Sequence, residues 1–344
     1  MQFRQYMLRR ALYGAVTLFL IANINFLIFQ LIPQAIFGIN PVYFFIPATA
    51  GGSSTSTGGG NWSPALTKEV ETSLGLNQPW DVRYERYVYS MFTGNFGYSF
   101  LAGHTPVLQI IAEYAPRTIL LLVSSIIASA VIGSLLGAYS ASHRGKKSDK
   151  SMLGISFFTF SVPSFWIGLM LLFFLGVEFH FFPLALSTAE VSTTGATYSG
   201  FEYIVHLLWA MVLPWVTLTI ISFGSYLLIV RNTMIGVLTE DHIIMAKARG
   251  IPRRLILYRH AMKNSILPVI SNLGIQLARA LAGAVIVETV FSYQGLGYTL
   301  FTAVESQDFP TVQAVFFIVA VMVIVGNFLV DLVYGYIDPR IRFA

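Results

Sequence analysis

The 344-residue sequence contains no cysteine. That removes thiol nucleophiles, cysteine-held zinc, iron–sulfur clusters and disulfide scaffolds. Charge is also scarce. Asp, Glu, Lys and Arg together make up 11% of the chain against 55% apolar residues, where a soluble domain carries about 25% and 45–50%. So little charge excludes a soluble globular enzyme and a disordered regulator. Catalytic patterns are missing as well. Gly145-Lys146 runs into Lys147, with Ser at position 140, so it is not a phosphate-binding loop. No Gly-x-Ser-x-Gly, Ser-x-x-Lys or His-Glu-x-x-His occurs in a fitting context. The six histidines (His104, His143, His180, His206, His242, His260) are scattered, and none pair at helical ligand spacing. No catalytic residue and no metal ligand is assigned.

What the chain does contain is long apolar runs. A bilayer core about 30 Å thick needs roughly 20 apolar residues per helical crossing. Six segments qualify: Ala11–Ile32, Thr118–Tyr139, Met152–Val177, Leu207–Val230, Leu267–Phe291 and Val312–Tyr336. The chain therefore reads as an all-α membrane protein with six transmembrane helices. The first run is too long for a signal-peptide core of about 7–15 residues and no small-x-small site follows it, so it is expected to remain as a span.

Positive charge sets the orientation. Arg4, Arg9 and Arg10 precede the first span, and Arg144, Lys146, Lys147 and Lys150 separate the second and third. Arg231, Lys247, Arg249, Arg253, Arg254, Arg259 and Lys263 lie between the fourth and fifth, and Arg340 and Arg342 follow the sixth. The loop holding Glu178, Glu190 and Glu202 has no Lys or Arg, nor does the stretch from Ser292 to Thr311. Lys68, Arg83, Arg86 and Arg117 fall in a long segment, where the charge rule is weak. Both termini are thus expected to be cytoplasmic. Topology also accounts for the net charge of +5, so no nucleic-acid partner is needed.

Three regions follow: residues 1–32, a cytoplasmic N-terminus with the first span; 33–117, outside the membrane; and 118–344, five further spans with a cytoplasmic loop at 231–267. Residues 51–60 are only Gly, Ser and Thr, a flexible linker by composition. A helix is expected from about Pro64. A second is expected from Asp81, with Tyr84, Tyr87, Val88 and Met91 on one apolar stripe. This outer region reads either as a packed cap with interfacial aromatics or as a docking surface. Asn61-Trp62-Ser63 matches a glycosylation acceptor.

The inner loop is richer. Thr239 is expected to cap a helix whose first turn holds Glu240 and Asp241, where acids suit the positive end of the dipole. Ile243, Ile244, Ala246 and Ala248 continue it. Gly250 ends it, with Lys247 and Arg249 in the last turn. Pro252 opens a second helix, Arg253–Ser265. Two short helices meeting at a glycine make a protrusion. Its small Ala246, Ala248 and Gly250 would admit another backbone, while its basic charge would equally suit anionic membrane lipid.

This loop resembles the cytoplasmic EAA loop of permease subunits from binding-protein-dependent ATP-binding cassette (ABC) importers, in the dipeptide/oligopeptide branch. The residues that carry the resemblance are Glu240-Asp241-His242, Ala246-Lys247-Ala248-Arg249-Gly250, Leu257-Tyr258-Arg259-His260-Ala261, Asn264 and Leu267-Pro268. Further agreement runs along the chain in order. It includes Leu74-Gly75-Leu76-Asn77-Gln78-Pro79, Gly94-Asn95-Phe96-Gly97-Tyr98-Ser99, Ser161-Val162-Pro163-Ser164-Phe165-Trp166, Val287-Glu288-Thr289-Val290-Phe291, Gly295-Leu296-Gly297 and Asp338-Pro339-Arg340-Ile341-Arg342. Ile244 and Met245 stand where the generic pattern has Glu and its first Ala.

The resemblance implies a type I ABC importer permease fold and a permease subunit moving dipeptides or oligopeptides, with oligosaccharides as an alternative. It implies a second homologous permease subunit, two ABC ATPase subunits and an extracytoplasmic substrate-binding protein. No cofactor is expected on this chain; ATP and Mg belong to the ATPase partners. Glu240, Asp241, Ala246, Lys247, Ala248, Arg249, Gly250 and Ile251 would form the contact with an ATPase subunit. A reading of another class, an ion-coupled transporter or intramembrane enzyme, would require more membrane acids, an inverted repeat or a nucleophile.

Few ionisable residues sit inside the spans. Arg279 lies near the middle of the fifth and Glu288 near its outer end, about half a turn out of phase, so the two are not expected to pair. Both are placed on the substrate pathway, and Asp331 in the sixth span is read as a structural hydrogen-bonding group. The topology is directly testable, because the background has no native thiol. Single cysteines at Ser148 and Ser265 are expected to resist a membrane-impermeant thiol reagent in intact cells, and cysteines at Ser56 or Thr194 to react. Strong external labelling at Ser148 would refute the orientation.

Overall fold

The computed structural model describes residues 3–32, 68, 71–72, 78–99, 105–186 and 200–337. The Gly/Ser/Thr run, the Asn61 pattern, Ser56, Thr194 and the Asp338–Arg342 stretch lie outside the described residues, as does most of the helix expected from Pro64. The chain divides into two compact units. One comprises Thr118–Gln294 with the segment from Val325 on, the other Arg4–Arg117 with Gly295–Ile324.

Helix α1 (Phe3–Phe26) continues as a π-helical turn at Leu27–Leu31. An outer helix α2 (Trp80–Thr93) and a two-stranded antiparallel hairpin, β1 (Tyr98–Ser99) and β2 (Thr105–Pro106), precede α3 (Val107–Ser142). Then come α4 (Lys147–Ser161), α5 (Ser164–Leu171) with a π turn at Leu172–Glu178, and α6 (Gly200–Val237). The inner loop holds α7 (Asp241–Ala248), α8 (Arg253–Leu255), a π turn at Ile256–Ala261 and α9 (Met262–Ser265). The chain continues with α10 (Leu267–Val290), α11 (Leu296–Glu305) and α12 (Phe309–Ile337).

Five helical segments among the described residues are long and apolar enough to cross a bilayer, and a bent pair, counted as one span, brings the number to six. That pair corrects the sequence reading of Met152–Val177 as one straight crossing: α4 and α5 meet at 100°. The cause is Pro163. It has no N–H to donate to the helix and forces Val162 out of helical geometry, to φ −87 and ψ 128. The fourth span is longer than its apolar core. At 1.5 Å per residue, the 38 residues of α6 run about 57 Å, nearly twice the hydrocarbon thickness.

In the first unit α4, α5 and α10 pack on α6. Helix α3 reaches α6 through Gly133 and Gly137, four residues apart on one face. A Cβ at Gly133 would lie 2.5 Å from Phe223 O, and one at Gly137 would lie 2.6 Å from Leu227 O. Lipid is as apolar as any side chain, so membrane helices hold together by such close backbone approach and by small polar contacts. Ser129 Oγ donates to Thr219 O across the same seam at 3.3 Å, and Gln276 Nε2 of α10 donates to Ser225 Oγ of α6 at 2.6 Å.

The inner ends of three helices are tied by a charge. Asp149 of α4 is 2% exposed. Arg231 of α6 grips it through both oxygens, Nε to Oδ1 at 2.7 Å and Nη2 to Oδ2 at 2.8 Å. Ser140 Oγ of α3 donates to Oδ1 at 2.6 Å and the Gly145 amide to Oδ2 at 2.9 Å. The sequence reading counted the basic residues of this stretch for orientation and passed over its one acid.

The second unit is built on α1, α2 and the N-terminal part of α12. The expected stripe of α2 is present: Tyr87 and Met91 are buried and Tyr84 and Val88 half-buried, against Ala22, Phe26 and Phe317. Arg83 is buried on the same face, which the stripe did not include. Phe26 meets the Tyr84 ring edge-on at 5.3 Å. Asp308 stands at the start of α12. Its Oδ2 accepts from Thr311 Oγ1 at 2.7 Å and from Ser99 Oγ of the hairpin at 2.6 Å. Burial pushes the Asp308 carboxyl above the usual carboxylate range, and these hydrogen bonds partly counter it.

The clasp gives a stability prediction. Removing one partner of a buried ion pair leaves the other charge stranded and costs about 3–5 kcal/mol. Asp149→Ala should therefore lower the unfolding midpoint and yield of the purified chain. Asp149→Leu with Arg231→Met, which strands no charge, should recover most of the loss. If Asp149→Ala left the melting temperature unchanged, the clasp would not be a stabilising element.

Candidate functional site

The protrusion of residues 240–265 grows from the end of α6. Thr239 does not cap α7 as expected. Its hydroxyl turns back to Gly236 O at 2.6 Å, and the N-cap residue is Glu240, with no side-chain cap. The Glu240 carboxylate instead lies 3.2 Å from His242 Nδ1, both exposed. Asp241 occupies the first turn and Lys247 the last, as read from the sequence.

The end of α7 is fixed by backbone geometry. Gly250 takes φ +73, its amide donates to Lys247 O at 3.0 Å, and the Ile251 amide donates to Ala246 O at 3.3 Å. These two bonds close a Schellman motif, which needs a left-handed residue at the position of Gly250. Nothing lies within 4 Å of a Cβ built on Gly250, so conformation, not space, demands glycine. The chain then reverses at Pro252. Residues 253–265 are helical throughout, but the expected single α-helix widens into a π turn at Ile256–Ala261.

The hairpin has two faces. Ile243, Ala246, Ile256, Leu257 and Ala261 turn inward and join Met234 and Val237 of α6 and Ala138 and Ala141 of α3 in one core. Arg253 Nη2 donates to Ser142 O, and Lys247 Nζ to Leu238 O at 3.3 Å. The outward face carries Ile244 and Met245, 52% and 57% exposed, with Leu255 and Tyr258, both 41% exposed.

The expected contact residues therefore sort by face. Glu240, Asp241, Lys247, Ala248, Arg249 and Gly250 are exposed; Ala246 is buried in the base and Ile251 half-buried there. Both pack in the base of the hairpin, where Ala246 is closed off from the surface and Ile251 keeps part of its side chain exposed. The reading missed Ile244 and Met245 as outward residues. Their sequence signal is that they fall out of phase with the buried Ile243 and Ala246. Ser265 is fully buried, its Oγ bonded to Ala261 O at 2.9 Å. A cysteine there would be shielded from either side, and exposed Lys263 is the position that reads sidedness.

The two intramembrane charges are separated, as their phase requires. Arg279 is on the exposed face of α10 and makes no hydrogen bond or ion pair among the described residues. Glu288 is completely buried, and its Oε1 accepts from Thr118 Oγ1 of α3 at 2.8 Å. This carboxylate is enclosed by helices of its own unit, where the sequence reading had placed it, separately from Arg279, on the substrate pathway. Asp331 is half-buried in α12.

Comparison with known proteins agrees with this architecture. Residues 133–343, more than half of the chain, match the family described as binding-protein-dependent transport system inner membrane component. The oligopeptide transport system permease protein AppB of Bacillus subtilis is 33% identical over 281 residues, covering 82% of this chain and 86% of that protein. The dipeptide transport system permease protein DppB of Escherichia coli is 33% identical over 296 residues, covering 81% and 86%. The dipeptide permease DppB of Lactococcus lactis is 29% identical over 338 residues, 98% of this chain and 99% of that one. With its apolar helices, its bent third span and its inner helix–glycine–helix protrusion, the chain belongs to the inner-membrane permease components of binding-protein-dependent ABC transport systems.

Proposed function

We propose that the chain is the permease subunit of a peptide importer. It pairs with a second homologous permease, is driven by two ATPase subunits that bind ATP and Mg, and receives substrate from an extracytoplasmic binding protein. The observation that carries this is the outward face of the protrusion. Ile244, Met245, Leu255 and Tyr258 expose apolar side chains on a rigidly based hairpin, as a docking element requires. The similarity to dipeptide and oligopeptide permeases supports peptide as the substrate class.

The chain's own part in the cycle follows from its connectivity. Helix α6 runs unbroken from the membrane to the hairpin base, so a push on the hairpin reaches the spans without crossing a flexible joint. Moving a two-state equilibrium from 1:99 to 99:1 takes about 5.5 kcal/mol, which ATP-driven closure of the partners supplies through this contact. Arg279 faces the passage in this reading. A guanidinium at a helix centre costs roughly 2.5–3.5 kcal/mol in hydrocarbon, and a water-filled passage removes that cost and offers its donors to a peptide.

The test is reconstitution with the partner subunits in vesicles and uptake of a labelled tripeptide. Uptake should require ATP. Met245→Glu should leave the chain inserted while the ATPase subunits no longer co-purify and uptake falls at least about tenfold, the equivalent of 1.4 kcal/mol. Arg279→Ala should reduce uptake without lowering the yield or melting temperature of the complex. Normal assembly and uptake with Met245→Glu would remove the docking role. Restoration by added anionic lipid would assign the hairpin to the membrane surface instead.

A further inference from the structure

At the base of the inner hairpin a half-enclosed cavity of about 390 Å³ opens between the ends of α3 and α6, the last turn of α7, and α8. Lys247 and Arg253 line it beside Ser142, and Leu238, Ile251 and Ile256 supply an apolar wall. Both cations are anchored at helix ends. Arg253 Nη2 donates to the carbonyl of Ser142, the last residue of α3. Lys247 Nζ donates to the carbonyl of Leu238, one residue past α6, at 3.3 Å. None of the described lining residues is acidic, and neither cation forms an ion pair with a described residue. The outward residues Ile244 and Met245 are not part of this wall.

Donors, anchorage and position point to one kind of ligand. An ammonium has three N–H groups and a guanidinium five, and each of these side chains gives one to a carbonyl. Those bonds hold two positive charges at one cavity before any ligand arrives, so less side-chain freedom is lost on binding. The apolar helices that end at Ser142 and Val237 bring the cavity to the inner end of the bundle. Arg144, Lys146 and Lys147 follow Ser142 at once and are exposed, so the cavity belongs to the basic inner surface of the chain. A basic pocket between helices on that side suits a lipid headgroup. A compact ammonium beside a forked guanidinium matches the several oxygens of a phosphate. Water would answer the same donors but gains nothing from the wall of Leu238, Ile251 and Ile256, whereas the hydrocarbon attached to a lipid phosphate covers it. An acidic side chain of a partner protein carries too short a stem to do so.

We infer that this cavity binds the phosphate group of an anionic membrane lipid, with Lys247 and Arg253 as its donors and the hydrocarbon lying along the wall of Leu238, Ile251 and Ile256. The site uses no apolar residue of the outward face and needs no ATPase partner, so it can stand or fall without affecting the transport reading.

The probe is dioctanoyl phosphatidic acid, titrated against the purified full-length chain in a phosphate-free maltoside detergent at fixed ionic strength. It should raise the unfolding midpoint saturably by a few degrees. Dioctanoylglycerol, the same hydrocarbon without the phosphate, should not. Inorganic phosphate should act only at concentrations at least about tenfold higher. Each variant is compared with its own lipid-free midpoint, which separates binding from any change in folding. Lys247→Gln and Arg253→Gln should each raise the half-saturating concentration at least about tenfold, and together they should abolish the rise. Arg86→Gln, at an exposed position of α2, should leave it intact. No rise with phosphatidic acid, or an equal rise with dioctanoylglycerol, would overturn the proposal. Equal potency of inorganic phosphate would overturn it in favour of a site for soluble phosphate. A rise that survives the double variant, while the ATPase subunits no longer co-purify with it, would give the cavity to an acidic group of that partner instead.

Discussion

A carboxylate taken out of water must be answered in full, and at Asp149 four donors from two helices and a turn do so. The inner architecture hangs on that requirement. Asp149 is satisfied only where α3, the turn after it, α4 and α6 come together, because Ser140, Gly145 and Arg231 each supply a donor at hydrogen-bond distance. Both oxygens are used by the guanidinium fork, which fixes direction as well as distance. The clasp thereby fixes the C-terminal part of the long helix α6 against α3 and α4, and the hairpin is built from the end of that helix.

The hairpin in turn combines two kinds of constraint. The Schellman turn at Gly250 is a backbone constraint: two amide bonds and a left-handed residue determine the direction in which the chain leaves α7. The inward row from Ile243 to Ala261 is a packing constraint that fastens both arms to α3 and α6. With both in force, the outward residues are displayed on a surface that cannot fold back to bury them. Rigid display of apolar side chains among basic ones is a poor arrangement for a loop exposed to water alone, and a good one for a surface that meets a partner.

In the other unit the same physics gives a different result. The aromatic stripe of α2 packs on Phe26 and Phe317, while Asp308 latches the β hairpin to the first turn of α12. Polar groups are again buried, but their bonds are spread, Arg83 to Gln30 at 3.3 Å and Asn25 to the Gln313 carbonyl at 3.4 Å, where the inner side gathers its donors on one carboxylate.

Composition and local spacing are enough to read the environment, the apolar spans and the glycine turn of the inner loop. Apolar runs of about 20 residues have few alternatives in a bilayer, because lipid offers no partner to an unpaired backbone group. The turn at Gly250 and the stripe of α2 are equally local, and residue spacing suffices to read them. Tertiary structure alone decided the rest. Met152–Val177 reads as one apolar run, and only the structure shows α4 and α5 meeting at 100° there. Thr239 had the chemistry of a cap and bonded backward instead. Glu288 looked like a pathway charge and is enclosed against Thr118, 170 residues away. Asp149 meets Arg231 across 82 residues. Partner choice over such distances is set by which helices lie side by side, and periodicity along one helix carries no information about its neighbours.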